Sequence, residues 1–390
     1  MSETYVLCMI VKDEEHCIRR CLRSVKNHIQ TWVINDTGST DRTCDIIKEE
    51  LAGLPGELLH REWVDFSVAR NQALEVAKRL GTRAIIIDAD DEFECPHPLP
   101  ANPKFDCYNL PELDGFIKNT RPNLLNLSLD WEYTAPIHEQ VWTDRCRSIG
   151  VFDRFPRILT HHEGSRSCDP QAYERDLDLM GKALAQNPED AHQRYQLGMH
   201  LASVEDHYRE AVEVLGDYLK AKDTNIPMAG NALMQIAMLK QRLGYPALEC
   251  LSAYAIAVLF DPTRAESAVH MSAYCRSIGR PDMALNVMEK VRGLKTPTIG
   301  IGIDMRVYEY IAEFEYRCCL LACGKRSDGE DVMSGLLNKH KRGECILTEW
   351  FMAKIEDVLK KKFDLPLDAT DEERIMDLVG EANALWRNRK

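Results

Sequence analysis

Residues 6–11 form an unbroken apolar run that stops at Lys12-Asp13-Glu14-Glu15, and a helical pattern follows through Ile18, Cys21, Leu22 and Val25. The theme returns at residues 31–35, which end in Asp36-Thr37-Gly38-Ser39-Thr40-Asp41 ahead of a helix through Ile46, Ile47 and Leu51. A third helix is predicted over 67–80, closed by Gly81 as a C-terminal glycine. Ala84-Ile85-Ile86-Ile87 then runs straight into Asp88-Ala89-Asp90-Asp91. Strands buried on both faces read as such continuous apolar runs, and their alternation with helices predicts a mostly parallel sheet with βαβ crossovers. Residues 1–165 therefore read as an α/β domain of Rossmann-like type.

From about residue 170 the strand pattern gives way to helix pairs. Ala211, Ala247 and Ala284 recur at spacings of 36 and 37 residues, Asn187-Pro188 and Asp261-Pro262 open two of the units, and Gly244 and Gly279 mark turns. A period near 34 residues is the tetratricopeptide type, in which each helical hairpin needs neighbours to bury its apolar face. Residues 170–390 are thus expected to be an all-α repeat domain, with residues 301–390 as helical continuation and cap. Tyr245, Tyr254 and Tyr274 read as repeat core.

Composition narrows the class. The chain has 390 residues, 45% hydrophobic, with a net charge of −13, enough apolar content for sizeable cores. No apolar run approaches the roughly 20 residues of a membrane span. The opening Met-Ser-Glu-Thr-Tyr lacks a basic n-region, so no secretory signal is expected. Fourteen cysteines in such a chain read as reduced thiols of a cytoplasmic protein. Cys17 and Cys21, and Cys318, Cys319 and Cys323, are expected to be buried helix thiols, since no spacing suits zinc. Acidity in both parts counts against a nonspecific nucleic-acid binder.

The chemistry gathers at the strand ends, where ligands of open α/β sheets bind. Asp13 and Glu14, Asp36, and Asp88, Asp90 and Asp91 all fall there. Thr37-Gly38-Ser39-Thr40-Asp41 is neither a dinucleotide fingerprint nor a Walker loop, and Asp41 there reads as a helix N-terminal residue. Carboxylates alone would repel a diphosphate, so a bridging Mn²⁺ or Mg²⁺ is expected with Asp88-Ala89-Asp90. His138-Glu139 lacks the second histidine of a zincin, because Trp142 stands in its place.

Five segments in order resemble the family 2 glycosyltransferases with the GT-A fold: Met9-Ile10-Val11-Lys12-Asp13-Glu14-Glu15, Val33-Ile34-Asn35-Asp36-Thr37-Gly38-Ser39-Thr40-Asp41, Trp63-Val64-Asp65-Phe66-Ser67-Val68-Ala69-Arg70-Asn71, Ile87-Asp88-Ala89-Asp90-Asp91-Glu92, and the pair Ile137-His138-Glu139 with His161-His162-Glu163-Gly164. The resemblance is to the branch with a C-terminal tetratricopeptide-like region, which includes sublancin-type peptide S-glycosyltransferases.

The resemblance implies a metal-dependent, inverting transfer from a UDP-sugar, UDP-glucose foremost, to a peptide or protein. A cell-surface glycan and a modified DNA base stay open as acceptors, and an inactive scaffold that binds partners through its repeats is the rival of another class. It implies that Val11, Glu14 and Asp36 grip uracil and ribose, and that Arg70 contacts the diphosphate or base. Asp88 would touch ribose or metal, Ala89 and His138 would line the donor site, and Asp90 would ligate the metal. His162, or its neighbour His161, would be a further ligand. Glu139 is implied as the base, with Asp91 or Glu92 as alternatives. The helical domain would choose the acceptor or pair two copies as a homodimer.

Overall fold

The computed structural model describes residues 3–222 and 224–325. Strands β1 (Tyr5–Val11), β2 (Thr31–Asp36), β3 (Gly56–His60) and β4 (Arg83–Ile86) lie in the parallel order β3-β2-β1-β4. The chain steps outward from β1 to β3 and then returns to the other side of β1. Strand order therefore reverses between β1 and β4, the place at which open α/β sheets have their ligand crevice, beyond the carboxyl ends of the strands.

Alternate residues of these strands supply two separate cores. Leu7, Met9, Ile34 and Ile85 meet Ile18 and Leu22 of α1 (Ile18–Val25) and Ile47 of α2 (Thr43–Glu50). Val6, Cys8, Val33 and Ile86 meet Ala73, Leu74 and Ala77 of α3 (Phe66–Leu80). Both faces are covered, which is why the runs show no polar alternation; each buried Leu or Ile contributes about 1.5–3 kcal/mol. Asp65 caps α3 by accepting from the Val68 amide at 2.8 Å. Gly81 does not end α3 through a left-handed cap: its backbone is extended, and a Cβ there would lie 2.4 Å from Val6 Cγ2 and 2.7 Å from the Thr4 carbonyl. Close approach to the start of β1 demands the glycine.

The rest of the sheet is mixed. β5 (Glu92–Glu94), β6 (Cys107–Asp114), β7 (Ile117–Asn126), β10 (Ile149–Val151) and β11 (Arg157–Thr160) extend it past β4, with β7 antiparallel to both β4 and β6. β8 (Glu132–Thr134) and β9 (Gln140–Trp142) form a separate antiparallel hairpin.

Strands give way to helices between Thr160 and Ala172: α4 (Ala172–Gln186), α5 (Ala191–Leu201), α6 (Tyr208–Tyr218) and α7 (Ile226–Arg242) follow. The compact units part elsewhere: of the described residues, those up to 245 with 297–303 make one unit and 246–296 with 304–325 belong to the other. Within the first unit α5 and α6 approach closely. A Cβ on Gly198 would sit 2.6 Å from Leu215 Cδ2, and Ala211 is fully buried. Residues 297–303 return to β7, where the Thr120 amide donates to the Gly300 carbonyl and the Gly300 amide donates to the Thr120 hydroxyl oxygen, each at 3.0 Å.

The second unit contains α8 (Ala247–Phe260), α9 (Glu266–Ser277), α10 (Pro281–Val291) and α11 (Ala312–Ala322). Gly279 turns α9 into α10 at φ 75°, and Gly244 has φ 71°, where glycine is at ease. Ala284 is buried as the repeat pattern requires, but Ala247 is exposed and Cys250 takes the buried position one turn on. Tyr254 is buried against Tyr274 with ring centroids 5.9 Å apart. Cys318 and Cys319 are buried free thiols, as are Cys17 and Cys21. The expected cap beyond residue 325 lies outside the described residues. Among them, no helix is long and apolar enough to cross a membrane.

Candidate active site

The loops at the ends of β1 and β2 are tied to one another. Asp13, in the left-handed region at φ 55°, accepts from the Thr40 amide at 2.7 Å. Asp41 accepts from the Glu15 amide at 3.0 Å and the Thr43 amide at 2.9 Å, which fixes the start of α2. Asp36 is buried at the tip of β2, with Oδ1 on the Ser39 amide at 2.9 Å and Oδ2 3.1 Å from His60 Nδ1. Burial works against its charge, yet the Ser39 hydrogen bonds and His60 hold its carboxyl below the usual range. Val11 faces the core, and its carbonyl already accepts from the Thr37 amide and hydroxyl.

Beyond β4, Asp88 joins a charged bridge across the crevice. Arg70 of α3 donates from Nη2 to Asp88 Oδ1 at 2.7 Å and from Nε to Glu139 Oε1, while its guanidinium carbon stands 5.7 Å from the Tyr133 ring centroid. Arg70 and Glu139 side chains are each 12% exposed, whereas Asp88 is 49% exposed. Asp88 therefore looks into an open recess whose walls are dense protein. That density opposes its charge, and Arg70 outweighs it, holding the carboxyl below its ordinary range. The Nη1 of Arg70 makes no hydrogen bond among the described residues.

Asp90 and Asp91 stand next to this bridge, separated from Asp88 by Ala89, which is buried in the core. Asp90 Oδ2 accepts from the Gly164 amide at 3.0 Å, and its carbonyl accepts from Arg20 at 2.6 Å. Glu14 faces the same loop: both its oxygens lie 3.3 Å from the Ser165 amide, and Cys17 donates its thiol hydrogen to Oε2. Burial pushes Glu14 up, with Asp90 adding to the effect. The loop after β11 is thereby strapped over the ends of β1 and β4, with Glu163 paired to Arg20 at 2.8 Å. Asp91 is buried, its Oδ1 has no partner, and its carboxyl is pushed up to about 9, by burial first and then by Asp88 and Asp90.

The strand-end carboxylates fit a divalent cation. An orphaned buried oxygen beside mutually repelling charges is the situation a cation relieves, and hard cations prefer oxygen ligands. The histidines do not join them. His162 Nε2 lies 2.9 Å from Asp114 at the end of β6, and His161 lies 3.6 Å from Glu92. Groups of three ligand-type atoms all within 4.8 Å of one another occur among the described residues at Glu14, His16 and Cys17, and at Asp36, Cys44 and His60.

His138 and Glu139 lie in the turn of the β8–β9 hairpin, where Ala135 and His138 have φ of 76° and 51°. Asn71 of α3 grips this hairpin through both the amide and carbonyl of Tyr133, at 2.8 and 2.9 Å. The His138 ring reaches solvent, but the protein packed around it pushes its imidazole down to about 4. Pattern reasoning missed Tyr133, Gln193, His192 and Arg121, the last pairing with Glu112 at 3.1 Å. None has a local signal beyond its own element, except that Asp190 announces the start of α5 by capping it.

The family model described as Glycosyl transferase family 2 matches residues 6–96, the segment that carries β1 to β4 and Asp36, Arg70, Asp88 and Asp90. The chain is 25% identical over 239 residues to the SPbeta prophage-derived glycosyltransferase SunS of Bacillus subtilis, covering 57% of this chain and 54% of that protein. It is 47% identical over 87 residues to a TPR repeat-containing protein of Synechococcus elongatus, 22% of this chain and 20% of that one. The chain thus spans about a fifth and about half of these relatives. Among solved structures, MamA is similar over 44% of this chain and 91% of its own, at a TM-score of 0.36 and 14% identity.

Proposed function

We propose, from the premise that residues 6–96 form a family 2 glycosyltransferase domain, that this chain transfers a sugar from a UDP-sugar to a nucleophile on a peptide or protein. One observation carries the reading: at the switch point of the sheet, Arg70 links Asp88 to Glu139 and keeps Nη1 unengaged. A guanidinium held between two carboxylates is charged, oriented and has a fork left for phosphate oxygens. Asp36 takes the nucleoside end, in line with the family resemblance.

Asp88 and Asp90 would hold the cation, whose chemistry when bound is to neutralise the diphosphate leaving group. The acceptor's nucleophile attacks the anomeric carbon, the bond from that carbon to the phosphate oxygen breaks, and its electron pair leaves with UDP. Glu139 takes the acceptor's proton once the incoming diphosphate competes for Arg70. Asp91 is the weaker alternative, because in its present surroundings it keeps its proton near neutral pH. Net acidity makes a DNA acceptor the poorer choice.

Calorimetry of UDP with and without Mn²⁺ tests the donor site. The wild type should bind more tightly with Mn²⁺, and Asp90→Ala should lose that enhancement while keeping its melting temperature. Equal enhancement in both removes Asp90 from the site.

A further inference from the structure

Helix α5 reaches the hairpin turn that carries Glu139. His192 Nε2 lies 2.7 Å from the His138 carbonyl, and its Nδ1 lies 2.7 Å from the Gln140 side-chain nitrogen. Gln193 Nε2 donates to the Ile137 carbonyl at 3.0 Å. A carbonyl can only accept and an amide nitrogen can only donate, so the His192 ring is neutral with its hydrogen on Nε2. Burial lowers the proton affinity of this imidazole, in keeping with that state. Residues 137, 138 and 140, on both sides of Glu139, are thus held by two neighbours on one helix.

The turn needs holding. Non-glycine residues in the left-handed region are strained and persist where surrounding contacts over-determine them, and Ala135 and His138 are both there. On one side α3 fixes the hairpin through Asn71 and through the Phe66 amide, which donates to the Pro136 carbonyl at 3.2 Å. On the other side stand the α5 contacts, and Glu139 follows directly after His138. Gln193 is 1% exposed and its Oε1 has no partner, so its amide is retained at a desolvation cost for the one bond it makes.

We propose that His192 and Gln193 are positioning residues that hold residues 137–140 so that Glu139 keeps its place on Arg70. The helical part of the chain thereby completes the transfer site and does not serve acceptor choice alone. This rests on the reading of Glu139 as proton acceptor given above, and the test separates the two.

The variants are His192→Ala, His192→Gln, which keeps an N–H donor, and Gln193→Met, which keeps the volume in case a smaller residue fails to fold. Two readouts are taken on the full chain: hydrogen exchange of a peptide spanning residues 133–142, and kcat and KM for UDP-sugar turnover with Mn²⁺. In His192→Ala and Gln193→Met, exchange of that peptide should rise while peptides from β1 and β4 stay unchanged. In those same variants kcat should fall roughly tenfold or more with KM for the donor nearly constant, since Asp88 still holds Arg70. His192→Gln should recover part of kcat. Unchanged exchange overturns the holding role whatever the activity, and raised exchange with wild-type kcat overturns the positioning role. A wild-type chain that turns over no nucleotide sugar overturns the proposed function, while exchange still decides the contact.

Discussion

Arg70 Nη2 and Asp88 Oδ1 meet at 2.7 Å, joining the first turns of α3 to the loop that leaves β4. Asp88 has half its side chain open to solvent and Arg70 very little, so the pair presents an anion receptor braced from behind. Arg70→Lys keeps the charge but cannot serve two carboxylates and a phosphate at once. UDP affinity should weaken roughly 10–100-fold, the worth of about 1.5–3 kcal/mol for a charged hydrogen bond, with the fold intact. Calorimetry checks this, and unchanged affinity would place the diphosphate elsewhere.

Asp91 gives a stability signature. Its folded carboxyl titrates near 9, against 3.8 for the ordinary group, so the folded state holds a proton that the unfolded chain releases. The associated stabilisation is present below about 4 and is lost as pH rises toward 9. Asp91→Asn, which mimics the protonated form, should therefore raise the melting temperature, and raise it more at pH 8 than at pH 5. A gain that is flat across this range would contradict the buried, proton-bearing role.

Much of this fold is legible in the amino-acid sequence. The three apolar runs became the parallel strands β2, β1 and β4, because residues packed on both faces leave no polar alternation to blur, whereas β3, partly exposed along Gly56–His60, carried no such run. The positions of Asp36, Asp88 and Asp90 at or just past the ends of β2 and β4 were legible because each directly ends or follows an apolar run. What failed was pairing at a distance. Nothing local to His162 says that Asp114 lies within reach, or that Glu14 faces Gly164 and Ser165. The antiparallel β7 was invisible for a similar reason: Pro111 and Pro122 and the polar residues of β6 and β7 dilute any strand signal. Ala247 matched a repeat by spacing, yet lies exposed at the first turn of its helix.

The second unit rests on a buried ion pair. Arg276 donates twice to Glu315, at 2.8 and 2.7 Å, and Ser272 adds a third bond at 2.7 Å. Glu315→Ala leaves Arg276 without its countercharge and should cost about 3 kcal/mol in denaturant unfolding. A loss well under 1 kcal/mol would show the pair to be dispensable.

Glu139→Gln preserves size but accepts no proton. Transfer should fall roughly 10²–10⁴-fold while UDP binding barely changes. With a thiol acceptor the defect should shrink as pH rises, because the thiolate then forms without help. Rates between pH 6 and 9 check this. Loss of UDP binding would instead make Glu139 part of the donor site.

The central claim is that this crevice cleaves a nucleotide-sugar bond. The direct measurement is a panel of nucleotide sugars incubated with the full chain and Mn²⁺, reading release of the nucleoside diphosphate, with Asp90→Ala alongside. UDP should be released from a UDP-sugar in a metal-dependent manner by the wild type and not by the variant. Absence of release from every donor, or equal release by Asp90→Ala, would contradict the claim.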